Sequence, residues 1–158
     1  MVAEVTRRKA RGFNAERRLV KLLSSYKANR VFRVPVSGSR SFPDVFMVNN
    51  LESRIVAFEV KSTMNDKVKV RRDQLERLFA FIDAFKKYEK REAVVAVWFA
   101  KSGKWVFKKV DTPLSGDFVV TVDDETDWAM PSPYTSRGAT ASRAPWSSIP
   151  RGRPSAPP

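Results

Sequence analysis

The stretch Phe42-Pro43-Asp44-Val45-Phe46-Met47-Val48-Asn49-Asn50-Leu51-Glu52-Ser53-Arg54-Ile55-Val56-Ala57-Phe58-Glu59-Val60-Lys61 decides the fold. Two apolar runs, 44–48 and 54–61, flank a polar turn and predict a β-hairpin. Strand side chains alternate faces, so Glu59 and Lys61 point one way and Phe58 and Val60 the other. A short hairpin brings Asp44 beside Glu59, fifteen positions later. Two carboxylates at that separation repel each other unless a cation lies between them. Burying them in apolar strands costs several kcal/mol, on the order of 2–7 for even an uncharged polar group, unless they are compensated. Chains mostly accept such a cost for function. The competing reading is an exposed Asp and an exposed Glu-x-Lys ion pair on a solvated face.

Around this hairpin, Ala15, Leu19, Leu22, Leu23 and Tyr26 recur at helical spacing and predict a first helix, with Gly12 and Asn14 as start signals. Arg30–Val36 alternates and predicts a strand, followed by the loop Ser37-Gly38-Ser39-Arg40-Ser41. Arg71–Tyr88 predicts a second helix with Leu75, Leu78, Phe79, Ile82 and Phe85 on one face. Ala93–Ala100 reads as a buried central strand and Lys104–Val110 as a last one. The order α-β-β-β-α-β-β describes one α/β domain, a mixed sheet flanked by helices. The acidic stretch 117–127 has no periodicity that fixes its structure.

Composition narrows the chemistry. Neither cysteine nor histidine occurs among the 158 residues. Disulfides, thiolate zinc sites, a Ser-His-Asp triad and imidazole ligation are therefore excluded. Any metal must be held by oxygen, which favours Mg2+, with Mn2+ as a substitute. Hydrophobic residues make up 42%, enough for a core, yet no apolar run approaches the roughly 18 residues that cross a bilayer. The N-terminus lacks the apolar segment of a secretory signal. A cytoplasmic, nucleoid-associated location is expected, with no membrane partner.

The chain carries 30 Lys+Arg against 17 Asp+Glu, a net charge of +13. That excess points to nucleic acid, whose phosphates release counterions to such a surface. Composition changes near Trp128: residues 128–158 hold seven of the ten prolines, four arginines and no acid. We therefore divide the chain into a folded domain, 1–127, and a disordered Pro/Ser/Arg-rich tail, 128–158. Without the tail's four arginines, 1–127 still carries +9.

The Asp44, Glu59-x-Lys61 pattern resembles that of the PD-(D/E)XK nuclease superfamily. Its surroundings resemble the archaeal Holliday-junction resolvases (Hjc type), from about Arg7 to Val110. Arg8-Lys9 with Gly12 and Ala15-Glu16-Arg17 resembles the family's basic N-terminal motif. Gly12 follows Lys9 by three positions where the family often has Lys-Gly directly, so the match carries a small insertion. Arg33-Val34-Pro35-Val36-Ser37-Gly38-Ser39 and Lys69-Val70-Arg71-Arg72-Asp73-Gln74 match further segments. The resemblance implies a restriction-endonuclease-like fold and metal-dependent, paired nicking of four-way DNA junctions in recombination and repair, by a C2 homodimer.

It also implies residue roles. Asp44 and Glu59 ligate metal, joined by Glu16, whose alternative is an exposed helix glutamate paired to Arg17 or Arg18. Lys61 positions the attacking water. Ser37 affects cleavage or is loop filler. Arg17 and Arg33 clamp phosphates, guanidinium being suited to bidentate contact. Arg8, Lys9 and Arg11, with Arg7, form a flexible arm on the DNA, and Lys69, Arg71 and Arg72, with Lys67, lie at the rim of the site. Gln74 sits beside the site, packs or caps. Phe81 joins the dimer contact or the core. The tail adds DNA affinity, binds a partner such as a replication sliding clamp, or is a plain extension. Two alternatives remain: a nuclease of this superfamily acting on flaps or ends, and a non-catalytic basic DNA binder of the same fold.

Overall fold

The computed structural model describes residues 2–35, 42–112 and 116–129. Two helices, α1 (Val2–Ser24) and α2 (Arg72–Asp83), cover opposite faces of a five-stranded sheet. Its strands are β1 (Arg30–Arg33), β2 (Val45–Asn49), β3 (Arg54–Thr63), β5 (Lys90–Phe99) and β6 (Lys104–Val110), in the order β1-β2-β3-β5-β6. The β3·β5 pair is parallel and every other pair of this sheet antiparallel. The parallel crossover runs through α2, as a βαβ unit requires. A second, two-stranded sheet pairs β4 (Lys67–Val70) with β7 (Phe118–Thr121).

Strand alternation sorts the core into two layers. Val56, Phe58 and Val60 of β3, with Val94 and Ala96 of β5, pack under Ala15, Leu19 and Leu23 of α1. Ala57, with Val95 and Val97, packs under Leu75, Leu78 and Ile82 of α2. Strands β3 and β5 are therefore buried on both faces, which is why they read as nearly unbroken apolar runs. Each fully buried Leu or Val contributes about 1.5–3 kcal/mol through removal from water.

Several expectations need correction. Helix α1 begins at Val2, so Arg7, Arg8, Lys9 and Arg11 are helical rather than a flexible arm. Gly12 inside this helix costs about 1 kcal/mol relative to alanine, and good helix formers on both sides carry the helix across it. Helix α2 ends at Asp83, not Tyr88. Phe85 and Tyr88 instead extend a row of rings, and Tyr88 Oη donates to Asn50 Oδ1 at 2.9 Å. The short strands β4 and β7 went unread because each is only four residues long, and they pair across about fifty residues of sequence, where no local period announces them. Strand β1 ends at Arg33, short of the expected Val36: Val34 and Pro35 lie outside the strand, Pro35 having no N–H for a ladder, and Val36 lies outside the described residues.

Trp128, which composition places in the tail, is 3% exposed and packs edge-on to Phe58. The segment before it covers the free edge of β6. Asp127 N–H donates to Phe107 O at 3.1 Å and Phe107 N–H donates to Thr126 Oγ1 at 3.2 Å. The folded body thus includes Trp128, and the tail from residue 130 lies outside the described residues.

Candidate active site

Asp44 is fixed by backbone before its side chain acts. Its N–H donates to Phe58 O at 3.1 Å, and its carbonyl accepts from Val34 N–H at 3.0 Å. It therefore sits between the end of β1 and β3, one step beyond the Val45↔Phe58 pair and opposite Glu59. Pro43 is buried and holds the approach to the strand. The Asp44 carboxylate accepts the Val60 N–H at 2.8 Å. The hairpin geometry read from the sequence is thus realised.

Glu59 is 2% exposed, with four groups arranged around it. Lys61 Nζ donates to its Oε1 at 2.8 Å, and Gln74 Nε2 donates to the same oxygen. Arg77 Nη2 lies 3.7 Å from its Oε2. The charge of Asp44 is the fourth influence. Burial pushes the Glu59 carboxyl above its ordinary range, Asp44 pushes it further, and Lys61 and Arg77 pull it back. Asp44 is also raised, chiefly by burial, against the Val60 N–H, Lys61 and Arg77. Two carboxylates that burial and mutual charge both disfavour are a site short of positive charge.

Glu16 approaches from the other layer. It lies on α1, its Oε2 accepts from Arg33 Nη1 at 3.2 Å, and burial then the Asp44 charge raise its pKa against that pairing. Glu16 is therefore half-buried and paired to Arg33, not to Arg17 or Arg18. Among the described residues no three acidic side chains converge closely enough to form a metal cluster. Asp44 and Glu59 are brought together, and Glu16 stands beside Asp44 held by its arginine. The donor set, all carboxylate oxygen, fits a hard divalent cation.

Gln74 does two jobs: its Oε1 accepts the Arg71 N–H at 3.2 Å, capping α2, while its amide nitrogen serves Glu59. Arg77 was missed by sequence reading. The signal was present, since it follows Gln74 by three positions and so shares its helix face. Its Nε is buried without a hydrogen-bond partner among the described residues. Ser37 lies outside the described residues.

Among the basic residues, Arg17 and Arg33 flank the Phe13 ring, and Arg33 also pairs with Glu16. Lys69, Arg71 and Arg72 are exposed and paired to Asp117, Asp73 and Glu76 respectively. Such surface pairs are worth about 0–1 kcal/mol and exchange readily for phosphate. Arg8 pairs with Glu4 along α1, and Lys9 and Arg11 are exposed on the same helix.

The sequence model of the archaeal Holliday junction resolvase (Hjc) family matches residues 7–131. The crossover junction endodeoxyribonuclease Hje of Saccharolobus islandicus is 36% identical over 118 residues, 72% of this chain and 80% of that protein. The protein of the same name from Sulfolobus acidocaldarius is 36% identical over 115 residues, 72% of this chain and 78% of its own. A solved structure of Archaeoglobus fulgidus Hjc matches with a TM-score of 0.55 at 24% identity, covering 70% of this chain and 84% of that one, which shows a common fold. On the length of the match and the identity to these relatives, the chain belongs to the archaeal Holliday-junction resolvase family.

Proposed function

We propose that the protein is a structure-selective endonuclease that resolves four-way DNA junctions by paired, metal-dependent nicking. The observation that carries this reading is the position of Asp44: backbone-locked between two strands, opposite the buried Glu59 and within reach of the charge of Lys61. Asp44 and Glu59 would hold Mg2+ or Mn2+, with Glu16 as the neighbouring third carboxylate. A divalent ion bound there would supply Lewis acidity and stabilise developing negative charge. Lys61 hands one proton donor to Glu59 and keeps two for an incoming water or phosphate oxygen. Arg17 and Arg33 offer guanidinium edges to the backbone on either side of the cut. Water attacks phosphorus in line, the bond to the 3′-oxygen breaks, and the products carry a 5′-phosphate and a 3′-hydroxyl.

Two symmetric nicks need two active sites related by a two-fold axis. The support for a homodimer is a band of rings across the end of the sheet and α2. Phe32 stacks on Phe46 at 4.9 Å, Phe46 meets Phe81 at 5.1 Å, and Phe81 meets Phe42 and Phe85. Phe32 and Phe42 are each 48% exposed, an apolar surface that a second copy would cover. Phe81 itself is half-buried beneath them. Junction choice follows from phosphate geometry rather than from base edges, since phosphate contacts position a protein on DNA without reading its sequence. The tail then adds cationic affinity for DNA or carries a clamp-binding segment. The protein works where DNA is, in the cytoplasm, and no helix among the described residues is long and apolar enough to cross a membrane.

The test is cleavage in Mg2+ of a four-way junction, a flap and a plain duplex. Symmetric paired nicks confined to the junction are expected. Cutting of flaps or ends in preference would move the protein to another substrate, and binding without cutting in any metal would leave only a basic DNA binder.

A further inference from the structure

The two arginines beside the site share one support that neither charge nor motif announces. The Arg17 guanidinium lies 4.3 Å from the centroid of the Phe13 ring, and the Arg33 guanidinium lies 4.2 Å from the same centroid. Both guanidinium groups are thus in contact with one ring. Phe13 and Arg17 are one helical turn apart on α1, whereas Arg33 reaches in from β1. The ring therefore ties the helix to the edge strand through two cation–π contacts. Glu16, on the same turn, closes the assembly by accepting from Arg33. Phe13 is 37% exposed, and it belongs to neither core cluster.

We infer that Phe13 is a positioning residue: it clamps Arg17 and Arg33 in fixed planes so that both present free N–H edges to successive phosphates of the strand being cut. The chemistry favours a ring for this task. A carboxylate orients a guanidinium by consuming its donors, while an aromatic face orients it by the π cloud and leaves all five N–H groups in the plane available. Arg17 forms no ion pair among the described residues, and Arg33 gives one nitrogen to Glu16, so most of the donors of the pair stay open. The assembly adjoins the site because Val34, the residue after Arg33, donates its N–H to the Asp44 carbonyl at 3.0 Å. Holding the two side chains before DNA arrives removes part of the ordering cost of binding.

This inference rests on the nuclease reading, and the experiment separates the two. Junction affinity, kcat and KM are measured for wild type, F13L, F13W and the R17A/R33A double variant in Mg2+. F13L should bind the junction about five- to thirtyfold more weakly and raise KM, with kcat little changed, as expected when two arginine side chains are ordered on binding instead of beforehand. Its salt slope should fall by about one for each arginine that disengages. F13W should restore affinity, and the melting temperature of F13L should fall by no more than about a few degrees because the contacts it loses are partly exposed. A wild type that binds, an R17A/R33A variant that binds poorly and an F13L that binds like wild type overturn the inference alone. It is equally overturned if F13W fails to rescue, or if F13L loses affinity only in step with melting temperature. A wild type that neither binds nor cuts the junction overturns the nuclease reading and this inference with it.

Discussion

The N–H of Val60 donates to the carboxylate of Asp44 across the β2·β3 boundary at 2.8 Å. This bond fixes the carboxylate and favours its charged form, although burial still raises its pKa. It also explains why the middle residue of Glu59-Val60-Lys61 matters although its side chain faces the core under α1.

Asp44→Asn keeps an acceptor for Val60 and removes the charge that raises Glu59. Cleavage should fall by about a hundred- to a thousandfold or more, with junction binding within about threefold of wild type. Both checks come from one nicking assay and one gel-shift series.

The same substitution should raise the melting temperature of the metal-free protein at neutral pH. Asp44 and Glu59 have folded pKa values above their unfolded ones. Each therefore binds its proton more tightly when folded. The penalty on folding is absent below the ordinary carboxylate range, about pH 4, and grows as pH rises through the folded values. The advantage of Asp44→Asn over wild type should accordingly vanish in acid and be largest near pH 7. Added Mg2+ should reverse the ranking by stabilising wild type alone. A melting series across pH, with and without Mg2+, decides it.

Arg77→Met removes a cation 3.7 Å from Glu59. The carboxylate pair then attracts a divalent ion more strongly, and half-maximal cleavage should need about fivefold less Mg2+, since such a partly buried pair is worth upward of 1 kcal/mol. An unchanged Mg2+ titration would remove Arg77 from the site.

Trp128→Ala should cost about 3–5 kcal/mol, the usual loss for truncating a buried large aromatic, and lower the melting temperature by about 6–20 °C. Ending the chain after Ala129 should leave stability intact. Ending it after Glu125 should reproduce the alanine loss, because the Thr126–Trp128 segment covers β6.

Phe32→Asp places a charge on the exposed ring at the sheet edge. Sedimentation at micromolar concentration should show a monomer, and the junction should be nicked singly rather than in symmetric pairs. A dimer that survives would move the interface away from this band.

Much of this molecule was legible in one dimension. Hydrophobic alternation predicted the β2–β3 hairpin and the register that sets Asp44 opposite Glu59. The near-continuous apolar run 93–100 announced a strand buried on both faces, and the absence of histidine and cysteine fixed oxygen as the only ligand chemistry. These are local or compositional properties, carried by side-chain alternation over a few residues. The tertiary structure alone decided the rest. It paired β4 with β7 and returned Trp128 to the core. It turned Arg33 toward Glu16 and Phe13, and set Arg77 against Glu59. Each of those relationships joins residues from different elements whose approach is governed by how two helical layers seat on one twisted sheet, and no period in the chain encodes that seating.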